Sequence, residues 1–186
     1  AHEPCQFSSR HGFHGGVASP ELTASAGGYP LDIDLRQAHK GLENAVRALK
    51  PGGSILFFAE CPSGSGHPSF DDYVTRYRDD FAMREALEQK FEVGGHKAYW
   101  VARLGRVFDI QLVSTLPADF VERCHLHAVK AGEHEAALRR MIRPGARVEV
   151  AWSLDCDGLG VRTSGGVAAV HGPFGAGDVR RVRAGQ

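Results

Sequence analysis

The sequence predicts an α/β protein, a three-layer domain in which a mostly parallel, Rossmann-like sheet is flanked by helices. A continuous apolar run of strand length at residues 54–59 and a second strand-like segment at residues 109–114 support this prediction. Apolar runs without alternation are typical of strands buried on both faces of a parallel sheet. Segments whose apolar residues recur at helical spacing lie before, between and after these two strand segments. Strands that alternate with helices in this way indicate βαβ units.

The composition is that of a globular protein. Of the 186 residues, 42% are hydrophobic and 24% are charged, which argues against a disordered chain. Basic and acidic residues both number 22, so the formal net charge is zero and no nucleic-acid partner is expected. No apolar run approaches the roughly 18 residues of a membrane span, and no signal-peptide pattern is present. The expected location is therefore the cytoplasm, without membrane attachment.

Three segments are expected along the chain. Residues 1–26 are rich in Gly, Ser and His and show no period of strand or helix, so we expect a poorly structured lead-in. Residues 27–170 form the predicted domain. Residues 171–186, which include a cluster of arginines, are expected to be a flexible C-terminal tail.

The first predicted helix begins near Pro30 and Asp32, where a proline and a capping carboxylate suit a helix start. Glu43 and Arg47 are spaced i,i+4 on its outer face. The helix is expected to end at residues 50–53, Lys-Pro-Gly-Gly. Its apolar residues recur at helical spacing: Leu31, Leu35, Ala38, Leu42, Ala45, Val46 and Leu49.

The other predicted elements follow the first strand. They are helical stretches at about 70–91 and 96–106, the strand at 109–114, a short helix after Pro117, a strand at 125–129, a helix at 133–142 and a strand at 147–152. No element is assigned to the Gly-rich remainder. Ligands of such sheets bind beyond the carboxyl ends of the strands. Here these ends are the loop at residues 60–67 and the turn at residues 114–115.

Two polar groups could contact a ligand. Gln37 and Lys40 are spaced i,i+3, so they share one face of the first helix, where an amide and an ammonium can hold a hydroxyl and a carboxylate. His96 and Lys97 follow two glycines near a helix start and offer a proton carrier and a cation. A solvated polar helix face and a flexible surface loop are the plain alternatives for these two groups.

The remaining candidates have weaker support. The Gly-rich loop at residues 60–67 could bring backbone N–H groups to an anion, although ordinary turn chemistry also explains it. The pairs His11/His14 and His125/His127 have no third ligand at metal-binding spacing, so no metal site is predicted. Cys61 is a nucleophile only where its surroundings lower its pKa, and is otherwise a small buried residue.

Taken in order, these motifs resemble the C-terminal domain of the nickel-dependent lactate racemase family over approximately residues 27–150. The most specific block is Gly28-Tyr29-Pro30-Leu31-Asp32 followed by Gln37-Ala38 and Lys40. The resemblance continues through residues 50–53, Glu60-Cys61 with Gly64 and Gly66, Phe70, His96-Lys97-Ala98, and Leu112-Val113-Ser114 with Leu116.

The resemblance implies an isomerase that racemises or epimerises small, lactate-like 2-hydroxy acids. It implies hydride transfer from C2 of the substrate to a nickel-pincer nucleotide held between two domains. Gln37 and Lys40 are implied to be catalytic, and Asp32, His96 and Lys97 are implied to join them in binding substrate or cofactor. The family's nickel ligand, cofactor-bound lysine and catalytic histidines belong to an N-terminal domain whose motifs do not match this sequence. That domain is the expected partner, and the chain alone is expected to be inactive.

Two other functions remain open at this point. The helix, the Pro-Gly-Gly turn and the strand near residue 50 also resemble a nucleotide-dependent enzyme of the methyltransferase type, but no G-x-G-x-G turn follows an early strand. A non-catalytic domain that binds a hydroxy acid or docks on a partner is the second alternative. It would show exposed apolar surface at the docking site.

Overall fold

The computed structural model describes residues 19–142 and four further strands, at 149–152, 160–163, 167–170 and 180–183. The described strands are β1 Ser19–Ser25, β2 Leu49–Phe58, β3 Asp109–Val113, β4 His127–Val129, β5 Glu149–Trp152, β6 Gly160–Thr163, β7 Val167–Val170 and β8 Arg180–Arg183. The described helices are α1 Leu35–Ala45, α2 Pro68–Arg76, α3 Asp80–Gln89, α4 Val93–Val107, α5 Ala118–Arg123 and α6 His134–Met141, with a 3-10 turn at Val46–Ala48.

The main sheet has six strands in the order β4-β3-β2-β1-β5-β6. Every neighbouring pair from β4 to β5 is parallel, and β6 is antiparallel to β5. A second sheet pairs β7 with β8. The strand order reverses at β1, whose neighbours are β2 on one side and β5 on the other. In open α/β sheets this reversal marks the crevice where ligands bind, so the loop that follows β1 occupies the favoured position.

Helices cover both faces of the main sheet, which gives the three layers. Ile55 and Phe57 of β2 pack into the larger core with α1, α2, α4 and α5. Leu56 and Phe58 point to the opposite face and pack against α6. Successive side chains of a strand alternate between faces, so a continuous apolar run serves both cores. The predicted α/β class with a mostly parallel sheet is confirmed.

The predicted lead-in is wrong for residues 19–26, because β1 lies inside the sheet. Leu22, Thr23 and Ala24 are buried between β2 and β5. β1 has a single large apolar side chain, Leu22, so it shows no strand pattern in the sequence. Its burial comes from the strands paired on its two sides, which lie far away in the sequence. Residues 1–18 lie outside the described residues.

The predicted flexible tail is wrong for Arg180–Arg183, which form β8 and pair with β7. The Gly-rich remainder also contains β6, which extends the main sheet. Short strands of small and charged residues give little periodic signal, and their pairing is decided by distant partners. The rest of residues 171–186 lies outside the described residues.

Several predicted boundaries move. The first helix begins at Leu35 instead of near Pro30, and residues 50–53 belong to β2 instead of a helix end. The stretch at 70–91 is two helices, α2 and α3, because the chain turns at residues 77–79. No helix of the described residues is long and apolar enough to cross a bilayer. The cytoplasmic location stays a prediction.

Candidate functional site

The start of α1 is fixed by Asp34. Its Oδ1 accepts a hydrogen bond from the Gln37 backbone N–H at 2.7 Å, which makes Asp34 the N-cap. Asp32 was the predicted cap, and this is wrong. The buried Asp32 carboxylate instead accepts from the Glu60 backbone N–H at 3.3 Å. Asp32 therefore links the loop after β1 to the loop after β2, and its contact with a ligand stays a prediction.

The Gly-rich loop at residues 60–67 supports the same helix start. Its Gly64 and Ser65 carbonyl oxygens accept hydrogen bonds from the Leu35 and Arg36 backbone N–H groups, at 3.0 and 3.1 Å. These amides would otherwise be unpaired at the first turn of α1. Gly66 lies so close to the Asp34 carboxylate that a Cβ at this position would overlap it. The loop thus positions α1, and with it Gln37 and Lys40.

We expect Gly66→Ala to destabilise the domain by about 2 kcal/mol or more, since it adds left-handed strain and displaces the helix cap. Gly66 has a φ of +85°. Gly64→Ala is the matched control, because Gly64 also has a positive φ, +72°, but open space around its Cβ position. It should cost only about 1 kcal/mol of backbone strain. Urea denaturation of both variants measures the difference, and equal losses would contradict the proposed contact.

Gln37 and Lys40 form a preorganised pair on α1. Lys40 Nζ donates a hydrogen bond to Gln37 Oε1 at 2.7 Å, at the exposed surface of the helix. Both residues lie in the first two turns of α1, close to the carboxyl end of β1. The bond leaves donors of Lys40 and the Gln37 amide N–H groups available to an incoming carboxylate or hydroxyl. The structure therefore brings together the two residues that the sequence singled out first.

His96 and Lys97 lie in the first two turns of α4. Trp100 Nε1 donates to His96 Nε2 at 2.7 Å, so a neutral His96 carries its proton on Nδ1. The pKa of His96 is lowered by burial and then by the Lys97 charge, which favours that neutral form. Gly94 allows the start of α4 to pack closely on the start of α2, because a Cβ there would collide with the His67 ring. Trp100 thus fixes His96 as a donor through Nδ1 at neutral pH.

Charged residues of α1 act on the pKa of Lys97. Burial lowers the pKa of the Lys97 ammonium, and the charges of Lys40 and Arg36 lower it further, while Glu43 raises it. Lys97 and Lys40 therefore influence each other electrostatically across the α1–α4 contact. A cation whose charge is unfavourable in the free protein is stabilised when an anion binds beside it. This favours an anionic group as the ligand of the α1–α4 face.

His39 is the buried histidine of the site. Its side chain is 0% exposed, and neither ring nitrogen has a hydrogen-bond partner among the described residues. Burial lowers the pKa of His39 to about 3, with further lowering by the charges of Lys97, His96 and Lys40. His39 is therefore neutral in the folded protein and does not exchange protons with a substrate at physiological pH.

The His39 environment predicts an acid-sensitive fold. The unfolded chain protonates this imidazole near its ordinary pKa of 6.5, whereas the folded protein does so only near 3. Stability is fully present above pH 6.5 and is lost as the pH falls from 6.5 towards 3, by about 1.4 kcal/mol per unit. Denaturant titrations from pH 7 to 4 should show this slope. The variant His39→Leu should lose the contribution of His39 to this slope. An unchanged slope in this variant would contradict the burial of His39 as the cause.

Cys61 is a buried structural thiol. It directly follows the Glu60 backbone that bonds to Asp32, and has a φ of +54°. Burial raises the pKa of Cys61 to about 12, and the charges of Asp32, Asp34 and Glu60 add to the rise. The thiolate needed for a nucleophile is absent at neutral pH. Of the two interpretations of Cys61, the structure supports the small buried residue.

A cleft of about 450 Å³ lies beyond the carboxyl ends of β2 and β3. One wall is the loop at residues 63–68, and the other is the segment from Leu116 to Phe120, with Asp71 and Arg123 at its edges. Its lining includes none of the predicted site residues. The cleft thus adjoins the loop that supports α1 but does not include the Gln37–Lys40 pair.

The described residues contain no group of three or more His, Cys, Asp or Glu side chains that could hold a metal ion. His125 precedes β4 with a φ of +60°, so the predicted strand position for it is wrong. His127 is exposed and lies 3.7 Å from Asp109 and 3.8 Å from Glu122. His11 and His14 lie outside the described residues.

Sequence reasoning missed His39 and Trp100 as parts of the site. The helical spacing of the sequence indicated both residues. His39 is four residues after Leu35, on the buried side of α1, and Trp100 is four residues after His96. Helical spacing places such pairs side by side, but the hydrogen bond and the complete burial depend on how α4 packs on α1.

Comparisons with known proteins give a consistent result. Residues 18–161 match the family model of the lactate racemase C-terminal domain. Over 75 residues the chain is 33% identical to a curated lactate racemase of Thermoanaerobacterium thermosaccharolyticum. The aligned segment covers 40% of this chain and 18% of that protein. The solved lactate racemase apoprotein from the same organism superposes with a TM-score of 0.63 at 22% identity, over 73% of this chain and 34% of that one. The matched part thus spans about a third of the solved relative or less.

Proposed function

Because the chain belongs to the lactate racemase C-terminal domain family, we propose that it supplies half of an active site that racemises or epimerises a small 2-hydroxy acid. The family match favours this over the methyltransferase alternative. The observation that carries the proposal is the Gln37–Lys40 hydrogen bond beside the carboxyl end of β1, in the most specific block of the resemblance. A racemase must hold the substrate in place while C2 changes its configuration, so its active site requires polar groups in fixed positions that bind the substrate.

Gln37 and Lys40 have complementary roles in this proposal. The Lys40 ammonium binds the substrate carboxylate as a point charge. The Gln37 amide, oriented by Lys40, contacts the hydroxyl as either donor or acceptor. His96 donates through Nδ1 to an oxygen of substrate or cofactor, and Lys97 adds positive charge from α4. Charge that develops on the substrate oxygens is then met by groups already in position.

The cofactor of the proposed reaction is the nickel-pincer nucleotide implied by the resemblance, and C2 is proposed to invert by hydride transfer. The described residues do not fit the metal, since they include no cluster of three candidate ligands. We therefore assign the nickel ligands and the reactive part of the nucleotide to an N-terminal racemase domain, on the same or another polypeptide. The residues of this chain contribute binding and orientation only, and the chain alone is expected to be inactive.

Exposed apolar side chains beside the site support a partner domain. Tyr29 is 81% exposed and Leu31 is 40% exposed, both in the loop between β1 and α1. Phe91 and Val93, just before and at the start of α4, are exposed as well. Exposed large apolar side chains are typical of interaction surfaces when they lie close together, and these four lie in the segments that lead into α1 and α4. The same observation favours the second candidate function, a domain that docks on a partner or binds a hydroxy acid without catalysis.

The test combines the chain with a cofactor-loaded N-terminal domain from a lactate racemase. Interconversion of D- and L-lactate is measured by chiral chromatography for the chain alone, the N-terminal domain alone and the mixture. Activity in the mixture alone supports the proposal, and 2-deuterated lactate should then keep its label at C2, as hydride transfer requires. Stable association without turnover of lactate or larger 2-hydroxy acids would favour the docking domain instead.

A further inference from the structure

Arg36 lies on the same side of α1 as the Gln37–Lys40 pair. It precedes Lys40 by four residues, and residues four apart on a helix are neighbours, with Cβ atoms about 5–6 Å apart. A helix turns by about 100° per residue, so Lys40 lies between Arg36 and Gln37 around α1. The Arg36 backbone N–H donates to the Ser65 carbonyl oxygen at 3.1 Å, which fixes its place at the helix start. One side of the first turns of α1 therefore presents two cations and one amide.

The Arg36 guanidinium lacks an acceptor for its buried donor. The side chain is 33% exposed, and its Nε is buried without a hydrogen-bond partner among the described residues. The Asp34 Oδ2 lies 3.9 Å from a terminal nitrogen of Arg36, which is beyond hydrogen-bonding distance. A buried donor without an acceptor is unfavourable, so the free chain gains when an anion binds to this guanidinium.

Asp34 is held in place by other contacts. Its Oδ1 accepts from the Gln37 backbone N–H at 2.7 Å as the helix cap, and Gly66 packs directly against its carboxylate. A rotation of this carboxylate towards Arg36 would give up the cap, which stabilises the start of α1. The acceptor that completes the hydrogen bonding of Arg36 is therefore expected to come from a bound ligand.

We propose that Arg36 determines substrate specificity: its guanidinium binds a second carboxylate of the substrate, so the preferred substrate class is a 2-hydroxy dicarboxylic acid. The inference rests on the proposed function, in which Lys40 binds the first carboxylate and Gln37 the hydroxyl. A planar guanidinium binds a carboxylate through two parallel N–H···O bonds, whereas an ammonium acts as a point charge. In a four-carbon diacid, two carbon atoms separate the carboxylates, so long side chains from neighbouring positions of one helix face can reach both.

A monocarboxylic acid such as lactate uses only part of this face. Its carboxylate and hydroxyl contact Lys40 and Gln37, but a methyl group stands where the diacid carries its carboxymethyl group. Arg36 then stays without an acceptor, which disfavours the lactate complex relative to that of the diacid. A site whose polar groups pair with one ligand discriminates against an analogue that lacks the matching group. Malate should therefore bind more tightly than lactate.

The test measures the binding of malate and of lactate to the purified chain, without cofactor or partner, by ligand-observed NMR. We expect the Kd of malate to be lower than that of lactate by about tenfold or more. Arg36→Gln should remove most of this difference and leave the Kd of lactate unchanged. Arg84→Gln is the matched control, since Arg84 is exposed on α3 and pairs with Glu88, and it should change neither Kd.

Three results would overturn the inference. In the first, malate does not bind, or binds no more tightly than lactate. In the second, a folded Arg36→Gln protein keeps the preference for malate, or loses affinity for both acids alike, as a purely structural role predicts. Circular dichroism establishes that the variant is folded. Should it unfold, Arg36→Lys takes its place, because it keeps the charge but not the planar donor pair: a reduced preference for malate supports the inference, and the wild-type preference overturns it.

Inorganic phosphate is the probe for the third result, since a guanidinium also binds the phosphate of a nucleotide. Phosphate that binds more tightly than malate, and loses this affinity in Arg36→Gln, would assign Arg36 to the cofactor and overturn the inference. Racemisation plays no part in these measurements. A preference for malate that depends on Arg36, in a chain that gives no turnover with the N-terminal domain, would contradict the proposed function and leave the binding role of Arg36 intact.

Discussion

Lys40→Ala is expected to lower kcat/KM for the 2-hydroxy acid by about a hundredfold or more in the enzyme assembled with the N-terminal racemase domain. The substitution removes the cation proposed to bind the substrate carboxylate, and it also releases Gln37, whose Oε1 accepts from Lys40 at 2.7 Å. Both the charge and the fixed amide are lost in one step. Initial rates of D- and L-lactate interconversion measure the effect.

The stability of the same variant should hardly change. Lys40 is exposed, and surface substitutions usually stay within about 0.5 kcal/mol. Lys50→Ala is the matched control, because Lys50 is exposed at the start of β2, at the opposite end of the sheet. It should keep both full activity and stability. Full activity of a folded Lys40→Ala enzyme would remove Lys40 from the proposed catalytic pair.

Leu35→Asp should unfold the domain, with a loss of about 4 kcal/mol or more. Leu35 is 1% exposed and packs in the larger core, at the first residue of α1. A carboxylate at this position would be buried among apolar side chains without a partner. The loss of the cooperative urea transition, followed by circular dichroism, measures this effect.

Leu31→Asp makes the same chemical change four residues earlier. Leu31 is 40% exposed in the loop before α1, so the new carboxylate remains hydrated and should cost less than about 1 kcal/mol. If both variants unfold to the same extent, Leu31 is as buried as Leu35, which contradicts the exposed position of Leu31 in the structure. If neither unfolds, Leu35 is not part of the core.

Local patterns in the sequence were sufficient to predict much of the fold. The apolar run at 54–59 and the helical spacing from Leu35 to Val46 predict β2 and α1, because each element must bury a continuous apolar surface. The Gln37–Lys40 pair was also predictable, since two residues three apart on a helix are neighbours whatever the rest of the protein does. The family resemblance followed from the order of such local motifs, and the match over residues 18–161 confirmed it.

Elements that depend on distant partners were not predictable. β1 is buried because β2 and β5 lie on its two sides, although its own residues are mostly small or polar. The order of the strands in the sheet also decides that the loop after β1 occupies the point where the strand order reverses. A one-dimensional pattern contains neither the pairing nor the order of strands.

The candidate site likewise has features that the sequence predicts and features that depend on the tertiary structure. By itself the sequence determined the residue types on each helix, such as Lys40 on α1 and Lys97 on α4, because helical periodicity is a local property. Only the tertiary structure decided that α4 packs on α1, which buries His39 and exposes Lys97 to the charges of α1. Charge and burial act through space, so the electrostatics of the site appear only when the two helices are together.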